Sequence, residues 1–203
     1  MSRAIISGTG LYVPGEPISN EEVCRLAGVE FDTEKLELKT GIRYRHIAHL
    51  RGIDETTADF AAAAAEAAIK NAGLEADDID LFIVGTDTPE YISPAAAILV
   101  QGRLQKGQRT TGAFDVASSC ASFTAALDIG ARMTAADPEI RHAVITGVYN
   151  MPAFFRPGDA FGYSIFADGA GAVVLSREDE APGDGTAGSP GGYITGHRLS
   201  DGT

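Results

Sequence analysis

Two segments, residues 79–85 and 143–148, are apolar almost without interruption, and they restrict the fold more than anything else in the chain. A strand with one face in water alternates apolar and polar side chains, so a strand apolar on both faces must be covered on both. Further strands are expected at residues 4–11, 112–116 and 170–176, the first running into the turn Tyr12-Val13-Pro14-Gly15. Helical patterns separate them. Ser19 with Glu22 three residues on forms a capping box before a short amphipathic helix carrying Val23, Leu26 and Ala27. Thr56-Thr57 opens a long Ala-rich helix that ends near Gly73, and residues 94–104 and 121–135 read as two more helices. Strands alternating with helices predict an α/β fold with a parallel or mixed sheet covered on both faces. Residues 177–192, rich in Asp, Glu, Gly and Pro, read as a loop, and residues 193–198 as one more strand. The chain stops at Asp201-Gly202-Thr203, directly after a strand-to-turn signal, which reads as an interruption.

Composition removes several classes of function. A net charge of −12 disfavours nucleic acid and anionic membrane surfaces as partners. An acidic carrier protein would need a local basic patch, for which only Arg43, Arg45 and Arg51 stand out. Two cysteines, Cys24 and Cys120, do not make a disulfide framework. No apolar run is long enough to span a bilayer, and residues 1–10 lack the pattern of a secretory signal, so a cytoplasmic location is expected. No spacing of Cys, His and Asp suggests a metal site. Gly8-Thr9-Gly10 follows a strand but lacks the third glycine and the helix of a dinucleotide fingerprint. Gly169-Ala170-Gly171 lacks the Lys and Ser/Thr of a phosphate loop, and there is no G-x-S-x-G elbow.

Chemistry concentrates in Phe114-Asp115-Val116-Ala117-Ser118-Ser119-Cys120-Ala121-Ser122-Phe123, where a strand turns into a helix at Cys120. That helix is small or apolar around most of its circumference, the mark of a buried helix. N–H groups at a helix start are unpaired and partly positive, so they favour a thiolate and can hold the oxyanion that forms when it attacks a thioester. On the residues alone, Cys120 is either such a nucleophile or a small buried hydrophobe. Cys24 lies inside an ordinary amphipathic helix and reads as structural.

Four ordered segments together resemble the β-ketoacyl-acyl carrier protein synthase III branch of the thiolase superfamily. They are Ile5 to Pro14, the run Thr40-Gly41-Ile42-Arg43-Tyr44-Arg45-His46, Asp115 to Phe123, and Phe166-Ala167-Asp168-Gly169-Ala170-Gly171-Ala172 with Ala167 in place of glycine. The resemblance implies a thiolase-like fold of αβαβα layers built from two βαβαβαββ halves, of which only the first is present. Residues 1–176 are then the N-terminal half, 177–192 a loop, and 193–203 a strand leading towards a C-terminal half. It implies Cys120 as the catalytic nucleophile, with a His and an Asn of the other half completing the site. His46, His49, His142 and His197 have no catalytic counterpart in the family and are expected to be structural or at the surface.

Departures from the family pattern concern the substrate. Lys35 and Lys39 stand where simple members carry a Trp and an Arg that sandwich adenine, and with Arg43 they are the candidates for contact with coenzyme A or phosphopantetheine. The loop at residues 86–94 resembles one that crosses a dimer interface and closes the partner's acyl pocket. Here it carries Ser93 at the pocket end, which would admit a longer acyl group, and Glu90 as a polar candidate. An Arg that contacts coenzyme A in simple members aligns with Ala153, and Arg156 is the nearby substitute. Phe154, Phe155 and Phe161 are expected to line the substrate entrance. The expected protein is an acyltransferase that forms a cysteine-bound acyl-enzyme and condenses it with malonyl thioester. Its substrates are acyl-CoA or acyl carrier protein, it is a homodimer, and it has no tightly bound cofactor or metal. Two alternatives stand beside it: acyl transfer to a hydroxyl or amine without condensation, and a non-catalytic partner subunit of a thiolase-fold dimer.

Overall fold

The structure, a computed structural model, describes residues 2–107 and 110–179, and the backbone of 194–196. The strands are β1 (Ser2–Tyr12), β2 (Ile18–Ser19), β3 (Tyr44–Arg45), β4 (Leu81–Gly85), β5 (Gly112–Val116), β6 (His142–Asn150), β7 (Asp168–Asp179) and β8 (Ile194–Gly196). The α-helices are α1 (Asn20–Ala27), α2 (Thr33–Thr40), α3 (Thr57–Asn71), α4 (Ala96–Leu104), α5 (Ser122–Ala136) and α6 (Ala160–Ile165). Six strands form one mixed sheet in the order β5-β4-β6-β7-β1-β8. β4 runs parallel to β5 and β6, while β7 is antiparallel to both β6 and β1.

The two-faced apolar strands behave as their pattern predicts. Along β4, Phe82 and Val84 join the α3 side of the sheet with Phe60, Ala61, Ala64, Val144 and Val174. Leu81 and Ile83 join the α5 side with Ala126, Ala131, Ile145 and Leu175. Every residue of β4 is buried in consequence. Helix α3 starts on a reciprocal capping box between Thr56 and Asp59, and its run of alanines lets its backbone lie directly on β1. A Cβ placed on Gly10 would fall 2.1 Å from the Ala64 carbonyl oxygen.

Helix α4 has no cap of its own, since Ala95 precedes it. The Asp115 carboxylate, from β5, takes the Ala96 and Ala97 N–H groups at 2.7 and 2.8 Å instead. A strand residue thus satisfies orphan donors of the neighbouring helix.

Several elements differ from the sequence expectation. β7 runs on through Arg177, Glu178 and Asp179, where a loop was expected, because their backbones pair with Ala4, Arg3 and Ser2. Residues 180–192 lie outside the described residues, and of the expected strand 193–198 the part described is β8, paired in parallel with β1. Helix α2 was not expected: none of its residues is buried, so it carries no apolar stripe to read, and it rests on an Asp32 cap and a left-handed Gly41. Helix α6, also unexpected, is six residues long and capped by Asp159.

We predict that Gly10→Ala destabilises the protein by about 3 kcal/mol or more, because backbone of α3 must move. Gly171→Ala, whose Cβ would have its nearest neighbour at 4.0 Å, should stay within about 1 kcal/mol of the parent. Denaturant unfolding of the two variants checks the contrast.

Candidate active site

β5 ends at Val116, and the chain turns through Ala117, Ser118, Ser119 and Cys120 before α5 begins at Ser122. Ser119 has φ +50°, in the left-handed region that few non-glycine residues occupy. The turn is tied from the helix side by Ser122, whose Oγ accepts the Ser118 N–H at 2.8 Å and donates to the Ser119 carbonyl at 2.7 Å. It is tied from the sheet side by Asp87, whose Oδ1 accepts the Ser119 N–H at 3.2 Å. The Cys120 thiol is exposed.

Cys120 therefore stands two residues before the helix rather than at its first position. The next two N–H groups, of Ala121 and Ser122, turn back onto the Ser118 and Ser119 carbonyls at 3.1 and 3.0 Å. They are not the free donors that the sequence pattern suggested for an oxyanion. Nor is α5 enclosed on all sides. Ala126, Gly130, Ala131 and Thr134 are buried, whereas Phe123, Leu127, Ile129 and Met133 are only partly covered among the described residues.

The start of α5 reaches the sheet at Gly85, the last residue of β4. A Cβ there would lie 2.7 Å from the Ser122 carbonyl carbon and oxygen. This contact sets the height of Cys120 above the carboxyl ends of the parallel strands, where open α/β sheets place their ligands.

Cys120 lines a cavity of about 680 Å³ whose walls are mostly apolar: Leu11, Val13, Phe123, Val148, Tyr149, Phe166 and the glycine-alanine run of residues 169–172. Leu11 is 73% exposed, an unusual degree for a leucine in a strand, and it faces this space. Tyr149 stacks on Phe166 with ring centroids 6.3 Å apart. Burial, then the nearby Asp87 and Cys120 charges and the hydrogen bond to Asp87, push its phenol above the ordinary tyrosine range, so it stays a donor.

The other expected site residues fall into separate places. Phe154, Phe155, Arg156 and Phe161 line a second cavity of about 620 Å³, which adjoins the first through Phe166, common to both. Ser93 is exposed, beside the exposed Tyr91 and Ile92, and lies outside the Cys120 cavity of its own chain. Glu90 caps α3: its Oε1 accepts the Ala58 N–H at 2.8 Å. Lys35 and Lys39 are exposed on α2, and Arg43 pairs with Glu37 at 2.7 Å. These three are not brought to Cys120 either.

The three described histidines contact the scaffold. His46 Nδ1 lies 3.2 and 3.0 Å from the Pro14 and Gly15 carbonyls, and His49 Nε2 lies 2.9 Å from the Tyr163 hydroxyl. His142 Nδ1 contacts Ser176 Oγ at 2.9 Å, and His197 lies outside the described residues. Asp87 and Tyr149 escaped the sequence pattern, as did the cavity-wall residues Leu11, Val13 and Val148. The available signal for Asp87 was a carboxylate two residues beyond the end of an apolar strand.

Beneath the cavity, the segment Phe166 to Ala172 is pinned by Asp168, 4% exposed, whose Oδ2 accepts the Ala48 N–H at 2.7 Å. Its Oδ1 is buried with no partner among the described residues. Burial pushes this carboxyl up to about 6, against the lowering effect of the Ala48 N–H.

A family model for 3-oxoacyl-[acyl-carrier-protein (ACP)] synthase III matches residues 114–189, which include the Cys120 turn and the Asp168 segment. The chain is 38% identical over 200 residues to the β-ketoacyl-[acyl-carrier-protein] synthase III of Rhodospirillum centenum, a match that covers 98% of this chain and 58% of the relative. The crystal structure of the 3-oxoacyl-[acyl-carrier-protein] synthase III of Aquifex aeolicus superposes with a TM-score of 0.76 at 30% identity, over 89% of this chain and 55% of that one. The priming β-ketosynthase of the R1128 polyketide biosynthetic pathway superposes with a TM-score of 0.77 at 33% identity, over 89% and 51%. The chain thus spans a little over half the length of the relatives it matches.

We predict that lowering the pH from about 6 to about 4 stabilises the fold through Asp168. The folded state there holds a proton that an unfolded carboxyl, titrating near 3.9, has already lost, so stability falls as pH rises through this window, by at most about 3 kcal/mol. Asp168→Asn should keep the bond to Ala48 and remove this component, which melting curves of both proteins across the window would reveal. By sequence and by fold alike, the chain is β-ketoacyl-[acyl-carrier-protein] synthase III-like, a match to the N-terminal half of that thiolase-superfamily fold.

Proposed function

We propose that Cys120 is the nucleophile of an acyltransferase that forms a β-ketoacyl thioester. The observation that carries this reading is the placement of one exposed thiol at a mostly apolar cavity of about 680 Å³, beyond the carboxyl ends of the parallel strands. Such a cavity takes an acyl chain, and the thiol stands where the chain's carbonyl would lie. The Cys120 sulfur adds to the carbonyl carbon of an acyl thioester. The carbon–sulfur bond to coenzyme A or a phosphopantetheine arm breaks, and the departing thiolate takes up the proton from Cys120. In the second half-reaction malonyl thioester loses carbon dioxide, its enolate carbon attacks the acyl carbon, and the Cys120 thiolate leaves.

The relatives named above carry this activity in their names, and their chains are longer than this one. The groups that assist decarboxylation are assigned to a C-terminal half, which would also cover the open side of α5. The second cavity, with Phe154, Phe155, Phe161 and Arg156, is assigned to the entrance for the donor arm, and Lys35, Lys39 and Arg43 to its outer phosphates. The exposed loop through Glu90 and Ser93 is assigned to a homodimer contact in which Ser93 serves the partner's pocket.

Incubating the complete protein with acyl-CoA and mapping the adduct by mass spectrometry tests the first step. The acyl mass is expected on the peptide containing Cys120, with β-ketoacyl product on addition of malonyl thioester. Cys120→Ala should lower turnover on the order of a thousand-fold or more. An unlabelled Cys120 in the intact protein would sink the reading.

A further inference from the structure

We propose that Asp87 is a positioning residue for Cys120, an inference that deepens the reading above and rests on it. Asp87 lies two residues beyond the end of β4, and its carboxylate joins the ends of three neighbouring parallel strands. Oδ1 accepts the Ser119 N–H at 3.2 Å, in the turn that follows β5. Oδ2 takes the Tyr149 hydroxyl at 3.4 Å, near the end of β6. Ser119 is the non-glycine residue held at a left-handed φ among the described residues, and it immediately precedes Cys120. A backbone in that region persists only where its surroundings enforce it. Ser122 grips the carbonyl side of Ser119, and Asp87 grips its N–H, so the two together fix the peptide from which Cys120 projects.

The second oxygen has a separate effect. Tyr149 lines the same cavity as Cys120, and its ring is held against Phe166 on one side and by Asp87 at its hydroxyl. One carboxylate therefore bears both on the direction of the thiol and on the position of the Tyr149 hydroxyl. Asp87 itself is not among the residues that line the cavity, so it acts through Ser119 and Tyr149 rather than on the acyl group.

The test compares Asp87→Ala with Asp87→Asn in the complete protein. Asparagine keeps both contacts, since its amide oxygen accepts from Ser119 and its amide nitrogen donates to the Tyr149 oxygen. Three readouts are taken: the single-turnover rate of Cys120 acylation by acyl-CoA with its concentration dependence, the rate of Cys120 alkylation by iodoacetamide, and hydrogen exchange at the Ser119 amide. For Asp87→Ala, maximal acylation is expected to fall about 10–100-fold with half-saturation within about threefold. Alkylation by the small reagent, which needs no fixed approach, should stay within about threefold. Exchange at Ser119 should quicken about tenfold or more. Asp87→Asn should restore acylation and protection to within about fivefold of the parent. Equal acylation losses in the two variants, or unchanged Ser119 exchange in Asp87→Ala, overturn the proposal. Failure of the parent protein to be acylated at all sinks the proposed function instead, and the exchange measurement then decides the role of Asp87 alone.

Discussion

The contact between the first turn of α5 and the end of β4 governs the placement of everything else around Cys120. Side chains standing out from the strands normally hold a helix away from the backbone of the sheet it covers. At Gly85 there is no side chain, and the Ser122 backbone drops to where a Cβ would be 2.7 Å away. Gly147, on β6, does the same for Phe123, whose side-chain atoms come to 2.9 Å of its notional Cβ. The helix start is thereby lowered onto two adjacent parallel strands. The turn before it has little room to vary, and Cys120 emerges at the rim of an apolar hollow.

Hydrogen bonds across distant parts of the chain then fix what sterics leave free. Asp115 ties β5 to the start of α4, and Asp168 ties β7 to the backbone at Ala48. Arg45, 5% exposed, donates to the Tyr163 carbonyl and to the Asn20 side chain, joining β3 to α6 and α1. Thr88, in the loop after β4, receives the Asn150 N–H and offers its carbonyl to Thr57. Asn20, Arg45, Thr57, Thr88, Asn150 and Asp168 are buried, so losing a partner there would leave the other group unsatisfied at a cost of about 1–3 kcal/mol. The loops above the sheet are consequently built as one bonded layer.

Much of the fold was legible because it rests on local physics. Two-faced apolar strands required covers on both sides, and β4 and β6 have them. Capping signals at Ser19 and Thr56 marked helix starts correctly, since a cap needs only residues three apart. Helix α2, which buries none of its residues, and α6, only six residues long, escaped, and so did the extension of β7, where backbone pairing continues through Arg177 and Glu178 regardless of their side chains.

For the site the division follows the same line. The strand-to-helix turn at Cys120, the alternation of strands and helices, and the glycine-alanine run of residues 169–172 are properties of contiguous residues, and the sequence alone determined them. Which residues share a cavity with Cys120, and that Asp87 reaches Ser119 and Tyr149 across 32 and 62 positions, were settled only by the tertiary structure. Pattern and spacing report on neighbours along the chain. Hydrogen bonds between strand ends depend on strand order, and the order β5-β4-β6 brings together three segments that no local periodicity relates.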